Sequence, residues 1–358
     1  MNSPRNVLPA LVLALFAATA TAVAADWETI EPGGETVCSQ GTPFRFYVRE
    51  ADPQRLLIFF NGGGACYSAE TCAVGREGDA PTYRVDATAE WGNDPRVHSG
   101  VFDLAHPENP LREWSQVFVS YCTGDVHLGD AEQVYVREDG SEFTLQHRGM
   151  VNARVALEHV FERFAAPGKV MVAGGSAGAI ASPVMLAEVA DAYPDARLLH
   201  FAGGGFGYRM PPPVQLWRHW GTIDALRGPV AAGGFTEETM TLVDPYLAVG
   251  KALPEVTFHI FDHAYDAIQE GWQRLLGYPA DLLPGLDANL ADLRETLPNV
   301  RSFVARGEFH TLLRYDELYA HVTNGVRAVD WVAAIARGEA VEDVHCGEPA
   351  HCRSLPSE

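Results

Sequence analysis

The chain has 358 residues, 47% of them hydrophobic, which is enough for one large α/β domain or two ordinary ones and excludes global disorder. Its formal net charge of −21 argues against nucleic acid or an anionic membrane surface as a partner. The same charge sits awkwardly with a strongly polyanionic substrate.

At the N-terminus Arg5 precedes an apolar run, Val7 to Phe16, and small residues follow to Ala22-Val23-Ala24-Ala25. This is the pattern of a secretory signal cleaved near Ala24 or Ala25, so residues 1–25 are set aside from the fold. The run is too short, and lacks the stop-transfer flank, for a membrane span. Asp26 to Gly41 is a polar, turn-rich entry segment. Phe44 to Arg49 alternates as a strand, and Leu56 to Phe60 is a fully apolar buried strand that runs into Asn61-Gly62-Gly63-Gly64-Ala65-Cys66. A Gly-rich loop after a buried strand lets backbone N–H groups face a ligand. Residues 71–110 carry many prolines and read as a long irregular insertion. Gln116 to Cys122 is the next buried strand and empties into Thr123 to Gly129. Val134 to Leu145 reads as a hairpin around Asp139-Gly140, and Gly149 to Phe164 as an amphipathic helix.

Val170 to Ala173 is a short β-branched strand, Gly174-Gly175-Ser176-Ala177-Gly178 matches G-x-S-x-G, and Ala179 to Ala190 reads as a helix. Strand, tight turn and helix in that order form the context of a nucleophile elbow. Arg197 to Ala202 is another strand, ending in Gly203-Gly204-Gly205. Met210 to Val249 reads as mostly helical material over the active face, Glu255 to Asp262 as a strand, and Pro284 to Pro298 as a helix. Val300 to Ala305 is the last strand, Tyr315 to Ala336 a closing helix or pair of helices, and the tail after Arg337 is polar. Buried strands alternating with helices predict an α/β fold with a mostly parallel central sheet and helices on both faces. Ligands in such sheets sit at the carboxyl ends of the strands.

The six cysteines suit an exported protein, with no spacing that pairs two sets of zinc ligands. Close spacing favours Cys66 with Cys72 and Cys346 with Cys352, which leaves Cys38 with Cys122.

A serine hydroxyl needs a base to take its proton, and that base needs a third group to orient it. Among thirteen histidines, His310 stands out because it follows the final strand, at the same sheet edge as Ser176; His127 is the reserve. Asp266 and Asp262 compete as the orienting acid, and Asp266 is preferred because a loop carboxylate can turn toward His310. The order Ser176, Asp266, His310 is that of an α/β-hydrolase. The N–H of Ala177, with one or two from Gly63, Gly64 or Ala65, would hold the oxyanion. No metal and no organic cofactor is called for by this chemistry.

The segments FFNGGGAC (59–66), YCTGDVHLG (121–129), GGSAG (174–178), AYDAIQ (264–269) and EFHT (308–311) resemble those of the pectin acetylesterase and Notum family of secreted carboxylesterases, and the chain looks like a bacterial member. The resemblance implies an α/β-hydrolase-like fold, a Ser176–Asp266–His310 triad, and bridges Cys38–Cys122 and Cys66–Cys72. Two departures concern specificity: Ala65 stands where the family has Trp after its glycines, and the 202–206 segment lacks the family's Asp. Acetyl-pectin or lipid specificity is therefore not carried over. The expected function is an exported serine esterase removing a short acyl group, acetyl above all, from a small-molecule or carbohydrate ester. The alternatives are a lipase or polyester depolymerase on the same triad, and a non-catalytic binding protein that kept the fold. Residues 26–358 are expected to form one domain with insertions at 71–110 and 209–250.

Overall fold

The computed structural model describes residues 26–353; the signal-peptide segment lies outside them. Its strands are β1 (Glu28–Ile30), β2 (Phe46–Arg49), β3 (Asp52–Phe60), β4 (Trp114–Val119), β5 (Ala131–Val136), β6 (Glu142–His147), β7 (Lys169–Gly175), β8 (Arg197–Gly203), β9 (Phe258–His263), β10 (Val300–Ala305), β11 (Val322–Thr323), β12 (Val326–Arg327) and β13 (Val344–His345). Nine of them form one sheet in the order β1-β2-β4-β3-β7-β8-β9-β10-β13. The pairings from β4 to β13 are parallel, while β1–β2 and β2–β4 are antiparallel.

Because side chains alternate across a strand, each central strand feeds two cores. In β3, Leu56, Ile58 and Phe60 join one cluster and Leu57 and Phe59 the other. The first cluster includes Leu157 of the helix Gly149–Arg163, Met185 of Ala177–Ala192, Val249 of Asp244–Ala252 and Leu290 of Leu282–Thr296. The second includes Trp331, Val332 and Ile335 of the helix Ala328–Arg337. Both faces are thus covered, as a parallel sheet requires. This is the mostly parallel, α/β-hydrolase-like architecture expected from the alternation of strands and helices.

Three expectations are corrected at the edges. The entry segment contributes β1, whose partner is β2. The 315–336 stretch holds a short helix, Glu317–Ala320, then the β11–β12 hairpin, then Ala328–Arg337. Asn324 and Gly325 turn that hairpin with φ of 48° and 79°, values that suit Asn and Gly and end the helical run. The polar tail is also no mere appendage: β13 adds to β10 in parallel.

The disulfides are Cys38–Cys122, Cys66–Cys72 and Cys346–Cys352. The first fastens the entry segment just beyond β4, across 84 residues of sequence. The last lies under the segment that follows β10, where the Gly307 N–H donates to the Cys352 carbonyl at 2.8 Å. Gly307 in turn accepts from the Tyr265 N–H at 3.1 Å, which joins the β9 and β10 exits. Among the described residues no helix is long and apolar enough to cross a membrane.

Candidate active site

Ser176 sits between β7 and the helix Ala177–Ala192 with φ 57° and ψ −120°, the strained conformation of a nucleophile elbow. Two glycines make the turn possible by close approach. A methyl group on Gly174 would lie 2.1 Å from the Gly178 carbonyl oxygen, and one on Gly178 would lie 2.0 Å from that of Phe60. Neither contact is sterically possible, so G-x-S-x-G is required by packing here. The Ser176 N–H donates to the Gly203 carbonyl at 2.8 Å, which fixes the elbow to the end of β8. Ala177 opens the helix, so its N–H has no intrahelical partner.

Asp266 is fully buried and caps the helix Ala267–Leu275. Its Oδ1 accepts from the N–H groups of Ile268 (3.0 Å) and Gln269 (3.1 Å). Its Oδ2 accepts from Gln269 Nε2 (3.0 Å) and from His310 Nδ1 (2.7 Å). A carboxylate only accepts, so the His310 proton is on Nδ1 and Nε2 is left with its lone pair. His310 follows β10 and is partly open to solvent, with 17% of its side chain exposed. Its ring reaches the Ser176 neighbourhood: a methyl on Gly204, one residue past the partner of the Ser176 N–H, would lie 3.2 Å from His310 Cε1. The Ser176 hydroxyl and His310 Nε2 are not hydrogen-bonded here; such bonds tighten in the substrate complex.

Gln269 was not singled out from sequence, and it bridges the two competing acids. Its Nε2 donates to Asp262 Oδ1 at 2.6 Å as well as to Asp266, and its Oε1 accepts from the Gly207 N–H at 3.1 Å. Asp262 is buried at the end of β9, and its Oδ2 has no partner. Burial, with the Asp266 charge adding to it, pushes the Asp262 carboxyl up to about 8, so it is protonated at neutral pH. A protonated Asp and an Asn have the same shape. Asp262→Asn is therefore expected to leave kcat/KM within about tenfold of wild type and thermal stability nearly unchanged. Kinetics and a thermal melt check this; a collapse of kcat at unchanged stability would make Asp262 the orienting acid instead.

The glycine loop after β3 lies against the elbow, since a methyl on Gly62 would come 2.5 Å from Ser176 Cβ. Its root, Asn61, is fully buried. The Asn61 side chain accepts from Arg314 Nη1 at 2.6 Å and donates to Asn93 Oδ1 at 2.8 Å, and its carbonyl accepts from His127 Nε2 at 2.8 Å. Arg314, four residues past His310, thus ties the histidine loop to the glycine loop, a contact that no local motif announces. Further along, Gly64 bridges Tyr83 in antiparallel fashion, with the Arg84 N–H donating to the Gly63 carbonyl at 2.8 Å. That bridge holds the loop in place, with Gly63, Gly64 and Ala65 as its candidate donors beside Ala177.

Ser176, Ala177, Gly64 and Ala65 border a cavity of about 510 Å³, open solvent included. Apart from Tyr208, its other walls are apolar, among them Ile180, Met210, Leu216, Trp217, Trp220 and Trp272. The Trp217 and Trp220 indoles donate to the carbonyls of Met240 and Cys66, each at 2.8 Å. Their N–H groups are therefore engaged, and the rings offer the cavity apolar surface. Trp217 lines this cavity, whereas Ser68, Asp125, His127 and Phe206 do not.

The reserve base, His127, is buried beneath the glycine loop, and burial pushes its imidazole down to about 4, so it is a neutral structural donor. His259 packs against Trp331 and bonds the His200 carbonyl at 2.9 Å, and His345 pairs with Asp287 at 3.0 Å on the surface. Two groups of potential metal ligands, Cys66/Cys72/His147 and His345/Cys346/Cys352, have their thiols consumed in disulfides. A third, His263/Glu317/His321, adjoins neither Ser176 nor the cavity walls.

Comparison with known proteins adds an independent line. A family model described as Pectinacetylesterase matches residues 23–216. Over 146 residues the chain is 32% identical to palmitoleoyl-protein carboxylesterase notum2 of Xenopus laevis, covering 39% of this chain and 27% of that protein. It is 24% identical over 178 residues to palmitoleoyl-protein carboxylesterase NOTUM of Mus musculus, covering 47% and 33%. It is 33% identical over 96 residues to inactive palmitoleoyl-protein carboxylesterase notum1b of Danio rerio, covering 26% and 65%. The matched stretches span less than two thirds of the length of each of these relatives.

Proposed function

The chain belongs to the pectinacetylesterase family, and from that premise we propose that it is a carboxylic ester hydrolase with Ser176 as nucleophile, His310 as base and Asp266 as the acid that orients it. The observation that carries this reading is the 2.7 Å bond from His310 Nδ1 to the buried Asp266, next to a serine at a strained elbow. Ser176 attacks the ester carbonyl carbon as His310 Nε2 takes its proton. The oxyanion is held by the N–H of Ala177 and one or two of those of Gly63, Gly64 and Ala65, donors worth roughly 10²- to 10³-fold in rate each. His310 then protonates the leaving alcohol. Water, activated by the same nitrogen, hydrolyses the acyl-enzyme and regenerates Ser176.

The family's description supports an acetyl ester, in line with the short-acyl expectation.

 The cavity supports a second reading, a longer acyl chain. Its walls beside Ser176 are apolar, and each methylene buried there contributes about 0.8 kcal/mol. The names of the Notum relatives, which specify a palmitoleoyl group, agree with a chain of that kind. The net charge of −21 argues against an acidic polysaccharide as the alcohol. Three disulfides support export to an oxidising compartment, and one domain over residues 26–358 remains the simplest division of the chain.

Hydrolysis of p-nitrophenyl esters from acetate to laurate tests the acyl reading. A kcat/KM that is highest at acetate supports the short-acyl esterase. A rise from acetate toward medium chains by about tenfold or more, the equivalent of two or more buried methylenes, moves the assignment to the longer-chain reading.

A further inference from the structure

We propose that His263, Glu317 and His321 bind a divalent transition-metal ion, zinc being the best fit, at a structural site behind the loop that carries His310. His263 is the last residue of β9. Glu317 opens the short helix Glu317–Ala320, and His321 follows its end, so the two face the same way at i and i+4. Glu317 Oε1 lies 2.7 Å from His321 Nδ1 and 3.7 Å from His263 Nε2. All three ligand atoms fall within 4.8 Å of one another. Zinc bonds nitrogen and oxygen at about 2.0–2.2 Å in a tetrahedron, which asks for ligand atoms about 3.3–3.5 Å apart. The observed separations bracket that value, so small side-chain rotations would close the site.

An independent observation points to a ligand. His263 is 1% exposed, yet neither of its ring nitrogens has a hydrogen-bond partner. Its 3.7 Å approach to Glu317 is too long for a hydrogen bond. Buried polar atoms are nearly always partnered, and a metal ion would take up the Nε2 lone pair. His321 is already arranged as metal-bound histidines are: its Nε2 is held by the Thr323 hydroxyl at 2.8 Å, which fixes the ring and leaves Nδ1 to face Glu317. The rings of Phe261 and Phe309 flank His263 at 5.2 and 5.9 Å and supply an apolar surround. Glu317 keeps 23% of its side chain exposed, which gives an ion a way in and water a fourth coordination position. Two imidazoles and one carboxylate favour zinc over calcium or magnesium, which take mostly oxygen ligands.

The ion would join the two segments that carry the acid and the base. Asp266 lies three residues past His263, and His310 seven residues before Glu317. The rival account is a His–Glu–His hydrogen-bond network with no ion. The test uses the full mature chain, stripped with a chelator and desalted, and does not depend on the esterase assignment. Zinc titration in competition with a chromophoric chelator is expected to show one tight equivalent per chain. Cobalt in its place should give the intense visible bands of a tetrahedral site. Glu317→Gln and His263→Ala should each weaken zinc binding at least tenfold and abolish the zinc-dependent rise in Tm, whereas His345→Ala should leave both intact. No stoichiometric zinc in the wild type, or binding unchanged in the His263→Ala/His321→Ala double variant, overturns the proposal. Should a variant fail to fold, the cobalt spectrum of the wild type decides alone, since an octahedral or absent spectrum overturns it equally.

Discussion

Ser176→Ala is expected to lower kcat toward p-nitrophenyl esters by roughly 10⁴- to 10⁶-fold, with the fold intact. The size of the effect follows from the chemistry. Without the hydroxyl no acyl-enzyme forms, and what survives is water attack assisted by the oxyanion donors. The fold should survive because alanine keeps the Cβ that serine already places at φ 57°. The strain of the elbow is therefore the same in both proteins, and the Ser176 N–H bond to Gly203 is made by the backbone. A fluorophosphonate probe gives the matching readout: it should label wild type with one equivalent and leave the variant unlabelled. Equal hydrolysis by the two proteins would remove Ser176 as nucleophile. An unlabelled, inactive wild type would favour the non-catalytic binding protein.

Asp266→Asn should lower kcat by about 10⁴-fold. The Asp266 Oδ2 accepts from both His310 Nδ1 and Gln269 Nε2. In asparagine, an amide oriented to keep Oδ1 as the helix cap puts its NH₂ against both donors. The imidazole then loses its orientation or adopts the tautomer with the proton on Nε2, which cannot accept from serine. Because the cap to Ile268 and Gln269 is retained, most of the loss should appear in kcat and little in Tm. Asp266→Ala is the contrasting variant. It loses the cap as well, about 1 kcal/mol of stability on top of the kinetic defect. Activity of Asp266→Asn within tenfold of wild type would sink the assignment. Set beside the mild effect expected of Asp262→Asn, the pair separates two buried carboxyls that share one glutamine.

The parts of this protein that were legible in its sequence are those whose cause is local. An apolar β-branched run followed by G-x-S-x-G and a helix can be read directly, because the sterics of Gly174 and Gly178 act within five residues of each other. The position of Asp266 just beyond a strand is readable too, but the helix Ala267–Leu275 that it caps is not. What stayed hidden depends on partners far away in the chain. Arg314 meets Asn61 across 253 residues. Gln269 owes its role to the coincidence of two acids in space. The strands β1 and β13 have only three and two residues, and their polar sequences show no periodicity, so only their neighbours in the sheet define them. The β11–β12 hairpin was different: Asn324-Gly325 is a strong turn signal, and it was outweighed by the helical composition around it. Cavity shape was illegible for a further reason, because it depends on which way the Trp217 and Trp220 indoles turn.

The bridge from Cys346 to Cys352 and the bond from the Gly307 N–H to the Cys352 carbonyl have a bearing on synthesis. Ser176 precedes Cys352 by 176 residues, so a ribosome delivers it first. The floor beneath the His310 segment is therefore laid only after Ser176, its helix and most of the sheet have emerged. A nascent chain holds its serine long before the base is set in place. On the proposed triad, the site is complete only once the Cys346–Cys352 segment has folded beneath the histidine.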